Sequence, residues 1–502
     1  MSSRSWKLAR KIRSVHLIAA GTALAVVTLA RDHAGATTPS PWEEPSQEPT
    51  AAAVPLTPPP ITVLQSKPGL ERGLVFLGPK TTPAAGVQQG PEIVDNNGRP
   101  VWFLPVAAPD QAADFRVQSY RGEPVLTWWQ GHNSPTGPGV GQGVDYIFDR
   151  TYRQIAVVAA GNGYQADLHE FRLTPRGTAF ITIYHHLPYD LSSVGGPANG
   201  GVVDGIAQEI DIASGRVVFE WHSLDHVGLD ESQAPVPTDT THDYDYFHIN
   251  AVNWDEDGNI LIDSRNTWTT FKVDHETGKV IWRLGGKRSS FALGENVQFA
   301  WQHDPEPVDR TTVRIFDNEA APAILPASRV IWVRRNPYTH TATLARSIVH
   351  PDGLSAGSQG NSQELGHGNT FVGWGATGRV SEFDAEGRLL FDASVPSGWD
   401  TYRAYRHVWH AAPDTSPTVT AQRNADGTIT VHAIWNGATE VDRWVVVGGA
   451  RAGALWPLGS SQWNGLDTTI ALSAEARTVA VVAVDAAGRW LGRSAPVTVL
   501  SQ

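Results

Sequence analysis

The chain has 502 residues, a formal net charge of −12 and no cysteine. This length allows one large core or two domains, and the lack of cysteine excludes disulfides, thiolate metal sites and cysteine nucleophiles. The acidic balance argues against a nucleic-acid groove, which needs clustered Lys and Arg, so we expect no nucleic-acid partner. The 48 Gly, 34 Pro and 19 Trp favour short strands joined by turns over long helices, and they predict an all-β fold.

The first 60 residues predict an export signal and a spacer. A basic start is followed by an apolar run over residues 15–30 and by small residues up to Ala36. This order is typical of a secretory signal peptide over residues 1–36, since the apolar run is short for a membrane span. Residues 37–60 have the Pro-rich and Thr-rich composition of a linker. We expect a secreted or cell-envelope protein with no stable membrane insertion after cleavage; an uncleaved anchor is the alternative.

A repeated turn organises residues 61–411. Its pattern is a pair of apolar residues, an Asp, a short variable stretch, a Gly and an apolar run that often ends in Trp or Phe. The anchors of the turns are Asp95, Asp149, Asp211, Asp274, Asn336 and Asp384, at spacings of 54, 62, 63, 62 and 48 residues. Each unit is long enough for a four-stranded antiparallel sheet, because Asp tolerates such turns and Gly supplies a positive φ. Six units predict a six-bladed β-propeller.

Residues 418–502 predict a second, smaller β domain. Short alternating strands are indicated at 428–435, 444–447 and 479–488. At about 85 residues this stretch has the size of an immunoglobulin or fibronectin III-like β-sandwich. It contains no catalytic constellation, so we expect it to serve in packing or adhesion.

Three histidines share one position of the repeat. Aligned on the turn, His169, His248 and His303 fall at the start of the first strand in three successive units, and a later unit has Asn361 or its neighbour Gln363 there. The first strands of propeller blades line the central channel, so these side chains can meet there. Imidazole can bind an anion, act as a base or attack an electrophile. The pattern therefore indicates a central polar site.

Carboxylates beside these histidines leave a zinc site open as a second interpretation. Glu170, Asp245 and Asp304 are adjacent in sequence, and three histidines are a known zinc set. We favour the anion site and expect no metal or cofactor, because the histidines lack helical metal-ligand spacing. Arg329 follows the third histidine and could lie at the channel mouth, although a surface position is the default. Tyr184 could bind an aromatic ligand, although a tyrosine near a strand end commonly packs.

Several short motifs together resemble the arylsulfotransferase family in its secreted actinobacterial and fungal branch. They are residues 90–95, 169–170, 248–250, 302–303, 316–318, 328–329, 350–353, 357–361, 368–375 and 381–384. The resemblance covers roughly residues 61–411. It implies a six-bladed propeller that moves a sulfuryl group from an aryl sulfate to a phenol without a nucleotide donor.

The resemblance also implies roles for individual residues. In the family a central histidine is transiently sulfated, while further histidines and an arginine hold the sulfate. By motif, His248, His303 and Arg329 match the sulfate-holding positions, and His169 would be base or nucleophile. Imidazole is a good nucleophile at neutral pH, and cations stabilise charge on the transferring oxygens.

The chain departs from the family at the nucleophile. The later repeat position, where the nucleophilic histidine would be expected, holds Asn361 and Gln363, which are left as candidates for substrate binding. Either His169 or His367 supplies the nucleophile, or this branch does not perform the reaction. The lack of cysteine is a further departure from members that carry a disulfide.

We therefore predict an aryl sulfotransferase that acts on a small aryl sulfate and a phenol. The alternative is a non-catalytic propeller that binds an anion, glycan or protein at the cell envelope, since such folds often bind without chemistry. A quinone-dependent or metal-dependent oxidoreductase is a third hypothesis, because Trp-rich propellers host those as well.

Overall fold

The structure is a computed structural model that describes residues 55–81, 88–134 and 139–501. The predicted signal peptide, residues 1–36, and most of the predicted linker lie outside these ranges. The fold is all-β, with 50% strand and 3% helix, as the composition predicts. In the described ranges no helix is both long and apolar enough to cross a bilayer.

Twenty-six strands lie between residues 62 and 407 of the described chain. They begin with β1 (Thr62–Ser66), β2 (Leu74–Lys80), β3 (Glu92–Val94), β4 (Pro100–Phe103), β5 (Gln111–Tyr120), β6 (Glu123–Asn133), β7 (Gly141–Phe148), β8 (Gln154–Val158), β9 (Phe171–Leu173), β10 (Thr178–Tyr189), β11 (Gly200–Asp211), β12 (Arg216–His222) and β13 (Ile249–Trp254). They continue with β14 (Ile260–Ser264), β15 (Thr269–Val273), β16 (Val280–Gly285), β17 (Ala292–Leu293), β18 (His303–Pro307), β19 (Thr312–Asp317), β20 (Arg329–Asn336), β21 (Thr341–Val349), β22 (Asn361–Glu364), β23 (Thr370–Gly373), β24 (Arg379–Phe383), β25 (Leu389–Ser394) and β26 (Asp400–His407). Short 3₁₀ helices cover Ser192–Val194, Ser223–Asp225, Leu229–Glu231, Gly366–Gly368 and Gly375–Thr377.

These strands form six sheets that touch one another in a closed cycle. The strand orders are β26-β2-β3-β4, β5-β6-β7-β8, β9-β10-β11-β12, β13-β14-β15-β16, β18-β19-β20-β21 with β17 beyond β21, and β22-β23-β24-β25 with β1 beyond β25. The first strand of each sheet contacts the sheet before it, and β26 contacts β22 and β23 to complete the cycle. Two pairings of distant segments fasten it, β1 with β25 and β2 with β26, both antiparallel.

The two ends of the sheets carry different connections. A tight turn joins the third strand to the fourth in each of these sheets, and another joins the first to the second in every one except β26-β2-β3-β4; we call that side the turn end. The opposite side, here the loop end, carries longer segments such as 223–248, 318–328 and 350–360. All six anchors of the sequence repeat lie at the turn end. Asp274, for example, accepts a hydrogen bond from the backbone N–H of Thr277 at 2.8 Å.

The core of the cycle is built from strands buried on both faces. Every residue of β14 and β15 is buried, because neighbouring sheets cover both sides of these strands. Aromatic side chains fill the space between sheets: the ring of Phe115 lies 5.6 Å from that of Phe76 and 6.0 Å from that of Trp128. This packing supplies much of the hydrophobic stabilisation of the cycle.

Residues 418–501 form two further sheets. Their strands are β27 (Thr418–Arg423), β28 (Ile429–Ile434), β29 (Arg443–Gly449), β30 (Trp456–Gln462), β31 (Asp467–Leu472), β32 (Thr478–Val484), β33 (Trp490–Arg493), β34 (Val497–Thr498) and β35 (Leu500–Ser501). The orders are β31-β28-β27-β35 and β30-β29-β32-β33, and both sheets contribute to one apolar cluster that includes Val431 and Val481. Burial alternates along β28 and β31, as expected where one face of a sheet is covered.

Candidate functional site

The structure brings His169, His248 and His303 together at the loop end. His169 lies two residues before β9, His248 precedes β13, and His303 begins β18. The rings of His169 and His248 meet edge to face with centroids 5.1 Å apart. The pKa of His303 is lowered well below its ordinary value by burial and then by Arg265, with smaller contributions from the other two histidines. The repeat position therefore gathers three imidazoles at one point.

Two of these histidines are paired with carboxylates. Nδ1 of His248 lies 2.5 Å from Asp245, which also accepts a hydrogen bond from the backbone N–H of His248 at 3.0 Å. Nδ1 of His169 contacts Asp167 in the same way, and its backbone N–H donates to that carboxylate at 3.0 Å. An ionised carboxylate only accepts, so Nδ1 of each ring carries a hydrogen and Nε2 is left for other partners. Burial lowers the pKa of His248, and Asp245 opposes this effect.

The third histidine faces an amide instead. Nδ1 of His303 lies 2.7 Å from Oδ1 of Asn318, whose Nδ2 donates to the carbonyls of Ala356 at 3.0 Å and Gln359 at 2.9 Å. These two bonds fix the amide orientation, so Oδ1 accepts from Nδ1–H and Nε2 carries the lone pair. The backbone N–H of Gln359 donates to Nε2 at 3.2 Å. With its lowered pKa, His303 is a neutral imidazole of fixed tautomer.

Arg265 joins this cluster, and sequence reasoning missed it. It lies between β14 and β15, and its guanidinium carbon is 4.8 Å from the centre of the Trp301 ring. Its nitrogens donate to Asn266 Oδ1 at 2.9 Å and to the Gly357 carbonyl at 3.4 Å. Across the described ranges, no carboxylate lies within 4.0 Å of these nitrogens, and burial lowers the pKa of Arg265. The segment between β14 and β15 has no repeated counterpart, which is why alignment of the repeats does not reveal it.

Two tyrosine rings pack against the histidine cluster. The Tyr184 ring stacks on His169 at 5.4 Å, and its hydroxyl donates to the Ile249 carbonyl at 2.7 Å. Tyr402 meets His169 edge to face at 5.6 Å and donates to the His169 carbonyl at 3.1 Å. Burial raises the pKa of both phenols well above the ordinary value, so both stay protonated. They position His169 from two sides.

Arg329, expected at the channel mouth, is buried and paired. Its Nε lies 2.8 Å from Asp317, and its Nη2 lies 3.2 Å from Glu319 and donates to the Gln298 carbonyl at 2.7 Å. Asp317 is the residue directly opposite Arg329 in the β19–β20 ladder. The positive charge of Arg329 is therefore already matched by carboxylates, unlike that of Arg265.

Asn361 and Gln363 bind backbone rather than facing the histidines. The Asn361 amide exchanges two hydrogen bonds with the backbone of Ala404, each 2.9 Å long. The Gln363 amide does the same with Arg406, at 3.0 and 2.8 Å. These two amides join β22 to β26 of the neighbouring sheet.

His367 lies away from the cluster, at the turn end. It is in the turn between β22 and β23, its side chain is 90% exposed, and its Nδ1 lies 2.6 Å from Glu71. The structure therefore separates His367 from His169, although sequence analysis names both as candidates for the nucleophile.

The carboxylates considered as zinc ligands have other partners. Glu170 lies 3.2 Å from Arg403 and 2.5 Å from Arg116; burial would raise its pKa, but these arginines hold it at about 2. Asp304 accepts from the Ser362 N–H at 3.1 Å, and burial raises its pKa to about 7. Among the described residues, the three side chains that lie close enough together to share a metal ion are those of His350, Asp352 and Asp392. Arg379 contacts both carboxylates of this group.

The comparisons with known proteins identify the family. A family model described as arylsulfotransferase (ASST) matches residues 116–395. This match covers more than half of the chain, which therefore belongs to the arylsulfotransferase family. No curated protein matches the chain.

Similar solved structures share little sequence with the chain. They include a protein of unknown function from Bacteroides caccae, with 12% identity over 67% of this chain and 99% of that one, at a TM-score of 0.41. A putative 6-phosphogluconolactonase from Bacteroides fragilis has 12% identity over 67% and 98%, at a TM-score of 0.33. A streptogramin B lyase has 10% identity over 66% and 83%, at a TM-score of 0.31.

Proposed function

We propose that the protein transfers a sulfuryl group from an aryl sulfate to a phenolic acceptor through a central histidine. The family assignment supports arylsulfotransferase-like chemistry in general. The observation that carries the proposal is the grouping of three imidazoles with Arg265, a half-buried cation with no carboxylate within 4.0 Å among the described residues. The anionic head of a sulfate ester would supply the missing negative charge.

We assign the nucleophile to His303 rather than to His169 or His367. Only a neutral imidazole with a lone pair can attack sulfur, and the Asn318 amide fixes that state with the lone pair on Nε2. The low pKa of His303 keeps this form populated at neutral pH. Asn318 in turn is a positioning residue, because it acts through His303.

The transfer has two steps. In the first, Nε2 of His303 bonds to sulfur, the S–O bond to the aryl group breaks, and the departing phenolate takes the Nε2 proton of His248 or His169, whichever ring enters the step as an imidazolium with a hydrogen on both nitrogens. In the second, an acceptor phenol returns a proton to that imidazole, its oxygen bonds to sulfur, and the N–S bond to His303 breaks. The carboxylate partners suit His169 and His248 to this role, because they stabilise the protonated ring.

We assign the guanidinium that holds the sulfuryl oxygens to Arg265. A cation without a carboxylate partner attracts an anion more strongly than one that is already paired. Arg329 is a prediction of the family motif for the same task, but it would first have to leave Asp317 and Glu319. Asn361 and Gln363 stay predictions as substrate-binding residues, and their backbone contacts favour a structural role.

We further propose that residues 61–411 are a six-bladed β-propeller and residues 418–502 a β-sandwich of immunoglobulin or fibronectin III kind. The closed cycle of six sheets and the two C-terminal sheets around one apolar cluster support this architecture. Export through the signal at residues 1–36 would place the enzyme outside the cell or at its envelope. The aryl sulfate and the phenol are its proposed partners.

The test is sulfuryl transfer from p-nitrophenyl sulfate to phenol by the purified protein, followed as nitrophenol release. We expect His303→Ala to lose roughly 10²-fold or more of this activity, since the nucleophile is removed. His222→Ala is the matched control, because His222 also faces a carboxylate, Asp204 at 2.7 Å, but lies outside the cluster. The control should keep wild-type activity.

A leaving-group series sharpens this test. If His248 donates the proton, His248→Ala should slow phenyl sulfate more than p-nitrophenyl sulfate, because nitrophenolate leaves without protonation. Release unchanged in His303→Ala would contradict the assigned site. Failure of the wild-type protein to release nitrophenol with any of the phenol acceptors tested would contradict the enzyme proposal itself.

One observation favours the non-catalytic alternative. The lone pair of His303 Nε2 already accepts the Gln359 N–H at 3.2 Å, so attack on sulfur requires this bond to be given up. A protein that binds an anion, glycan or protein without transfer would keep the bond. Binding of a sulfate ester without nitrophenol release would support that alternative.

A further inference from the structure

Two tryptophans lie against one another beside Arg265. The rings of Trp268 and Trp301 meet edge to face with centroids 5.2 Å apart. Arg265 lies over the Trp301 ring, and the backbone N–H of Trp268 donates to the Arg265 carbonyl at 3.3 Å. Trp301 precedes His303 by two residues. The aromatic pair is thus next to the proposed sulfuryl site in both sequence and space.

Both tryptophans are held in an uncommon backbone conformation. Trp268 has φ +55° and Trp301 has φ +58°, in the left-handed region that bulky side chains rarely adopt. His248 shares this property, with φ +53°. Such residues concentrate at sites where the surrounding structure enforces a particular side-chain direction.

The two indoles differ in what remains open to a ligand. Trp301 is 4% exposed, and its Nε1–H donates to the Pro322 carbonyl at 3.0 Å. Trp268 is half-buried; its Nε1 atom is buried and has no hydrogen-bond partner within the described chain, so the exposed part of the side chain is other ring atoms. Trp301 is therefore enclosed, whereas Trp268 keeps part of its ring exposed.

The segment whose Pro322 carbonyl accepts the hydrogen bond of Trp301 also presents apolar surface. In the connection between β19 and β20, Ile324 is 46% exposed and Leu325 is 40% exposed; they follow Pro322 by two and three residues. These exposed aliphatic side chains belong to the segment that is hydrogen-bonded to Trp301, and they add surface that favours an apolar ligand.

We propose that Trp268, supported by Trp301 and flanked by the segment from Pro322 to Leu325, is the subsite for the aromatic ring of the sulfate ester or the phenol. This inference rests on the proposed function, because Arg265 then holds the charged end of the same ligand. An aryl sulfate combines an anion with an aromatic ring, and Arg265 with the tryptophan pair offers one partner to each. Trp268 thus contributes to the preference for aryl over alkyl esters.

The test separates ring binding from anion binding and needs no turnover. Sulfonates cannot be transferred, since their sulfur is bonded to carbon, so p-toluenesulfonate and methanesulfonate report on affinity alone by titration calorimetry. Wild type should bind the aryl ligand more tightly. We expect Trp268→Leu to weaken p-toluenesulfonate about three- to tenfold, as loss of an aromatic contact does, and to change methanesulfonate less than about twofold. Trp268→Phe should retain most of the aryl affinity.

Trp282→Leu is the matched control. Trp282 is also half-buried under an arginine, with Arg335 4.0 Å from its ring centre, but it lies in β16 toward the outer edge of its sheet. This variant should bind both sulfonates as wild type does, and it accounts for a general effect of losing a tryptophan.

Each outcome decides between the two proposals. Equal weakening of both sulfonates by Trp268→Leu, or no weakening of either, would overturn the aryl subsite while leaving the anion site intact. Aryl binding that depends on Trp268 without any nitrophenol release would retain the subsite and overturn the transfer reaction. Failure of wild type to bind either sulfonate would overturn both.

Discussion

At the scale of single residues, the three imidazoles differ mainly in the side chain that faces Nδ1. Carboxylates face His169 and His248, whereas the Asn318 amide faces His303. A carboxylate stabilises a positive ring and an amide does not, which is the reason for proposing proton carriers in two places and a neutral nucleophile in the third. The proposed division of roles therefore depends on one atom. The side chain that faces His303 has an amide nitrogen where the side chains that face His169 and His248 have a second carboxylate oxygen.

A buried carboxyl near this cluster gives the fold a specific pH dependence. Asp263 is fully buried; one oxygen accepts from Gln302 at 3.0 Å and Thr270 at 2.8 Å, and the other has no hydrogen-bond partner in the described chain. Burial raises its pKa from 3.8 to about 7. The folded state thus holds this proton more tightly than the unfolded state, so the associated stability is complete below pH 3.8 and is lost as the pH rises through about 7.

We therefore expect Asp263→Asn to stabilise the protein at alkaline pH. At about pH 9 the substitution removes a buried charge and should raise the free energy of unfolding by on the order of 4 kcal/mol, whereas at about pH 3.5 the change should be small. Thermal unfolding at the two pH values measures it. Asp442→Asn, at a side chain that is 37% exposed, is the control and should change Tm equally at both. A Tm gain of the same size at both pH values would contradict the raised pKa.

At the scale of strands, side-chain amides join neighbouring sheets of the cycle. Asn250 donates to the Gln302 carbonyl at 2.7 Å, and Asn253 donates to the Pro305 carbonyl at 2.6 Å. Asn361 makes the equivalent connection from β22 to Ala404 of β26. Inner strands of different sheets in the described chain do not pair by backbone hydrogen bonds, and these amides connect them instead. These contacts hold the inner strands at the separation that lets the histidines meet.

Asn361→Ala separates a structural role from substrate binding. The substitution leaves the N–H and carbonyl of Ala404 buried without their partner, so we expect the free energy of unfolding to fall by about 2–4 kcal/mol. KM for an aryl sulfate should stay unchanged in the folded protein. Urea unfolding and steady-state kinetics measure the two effects, with Asn464→Ala at an exposed loop as control. A raised KM with unaltered stability would instead support the substrate-binding assignment made from sequence.

The repeat explains what sequence could and could not predict. Alignment of the turns places His169, His248 and His303 at one position, because inner strands of successive sheets are equivalent. The all-β fold and the family follow from composition and motifs, and both are confirmed. Arg265 has no repeated counterpart, so alignment cannot reach it. The pairing of Arg329 with Asp317 depends on the register of β19 with β20, which the sequence does not display.

At the scale of the whole molecule, the C-terminal sheets are attached to the cycle through β4 and through the turn between β7 and β8. The Asn436 amide exchanges hydrogen bonds with the backbone of Phe103, at 2.8 and 2.9 Å, and the Tyr152 hydroxyl donates to the Gly437 carbonyl at 2.9 Å. β4 is the outermost strand of its sheet, so this attachment lies far from the inner strands that carry the histidines. The C-terminal sheets therefore support the cycle at its rim.

Asn436→Ala tests this attachment. We expect a loss of about 1–3 kcal/mol in the free energy of unfolding, since two partly buried backbone groups of Phe103 lose their partner. Sulfuryl transfer by the folded protein should stay within about twofold of wild type, because no contact in the histidine cluster changes. Calorimetry and the nitrophenol assay measure the two quantities. A large loss of activity at full stability would indicate that the C-terminal sheets influence the site.

The two pairings that fasten the cycle also determine how it would respond to mechanical force. Tension applied ahead of β1 would first load its ladder with β25, and only after that ladder parted would it reach β2 and its ladder with β26. The outer fastening could therefore open and close again while the inner one kept the six sheets in place. In a protein with these two pairings, tension at the amino-terminal side can separate β1 from β25 without changing the distances between the imidazoles at the centre.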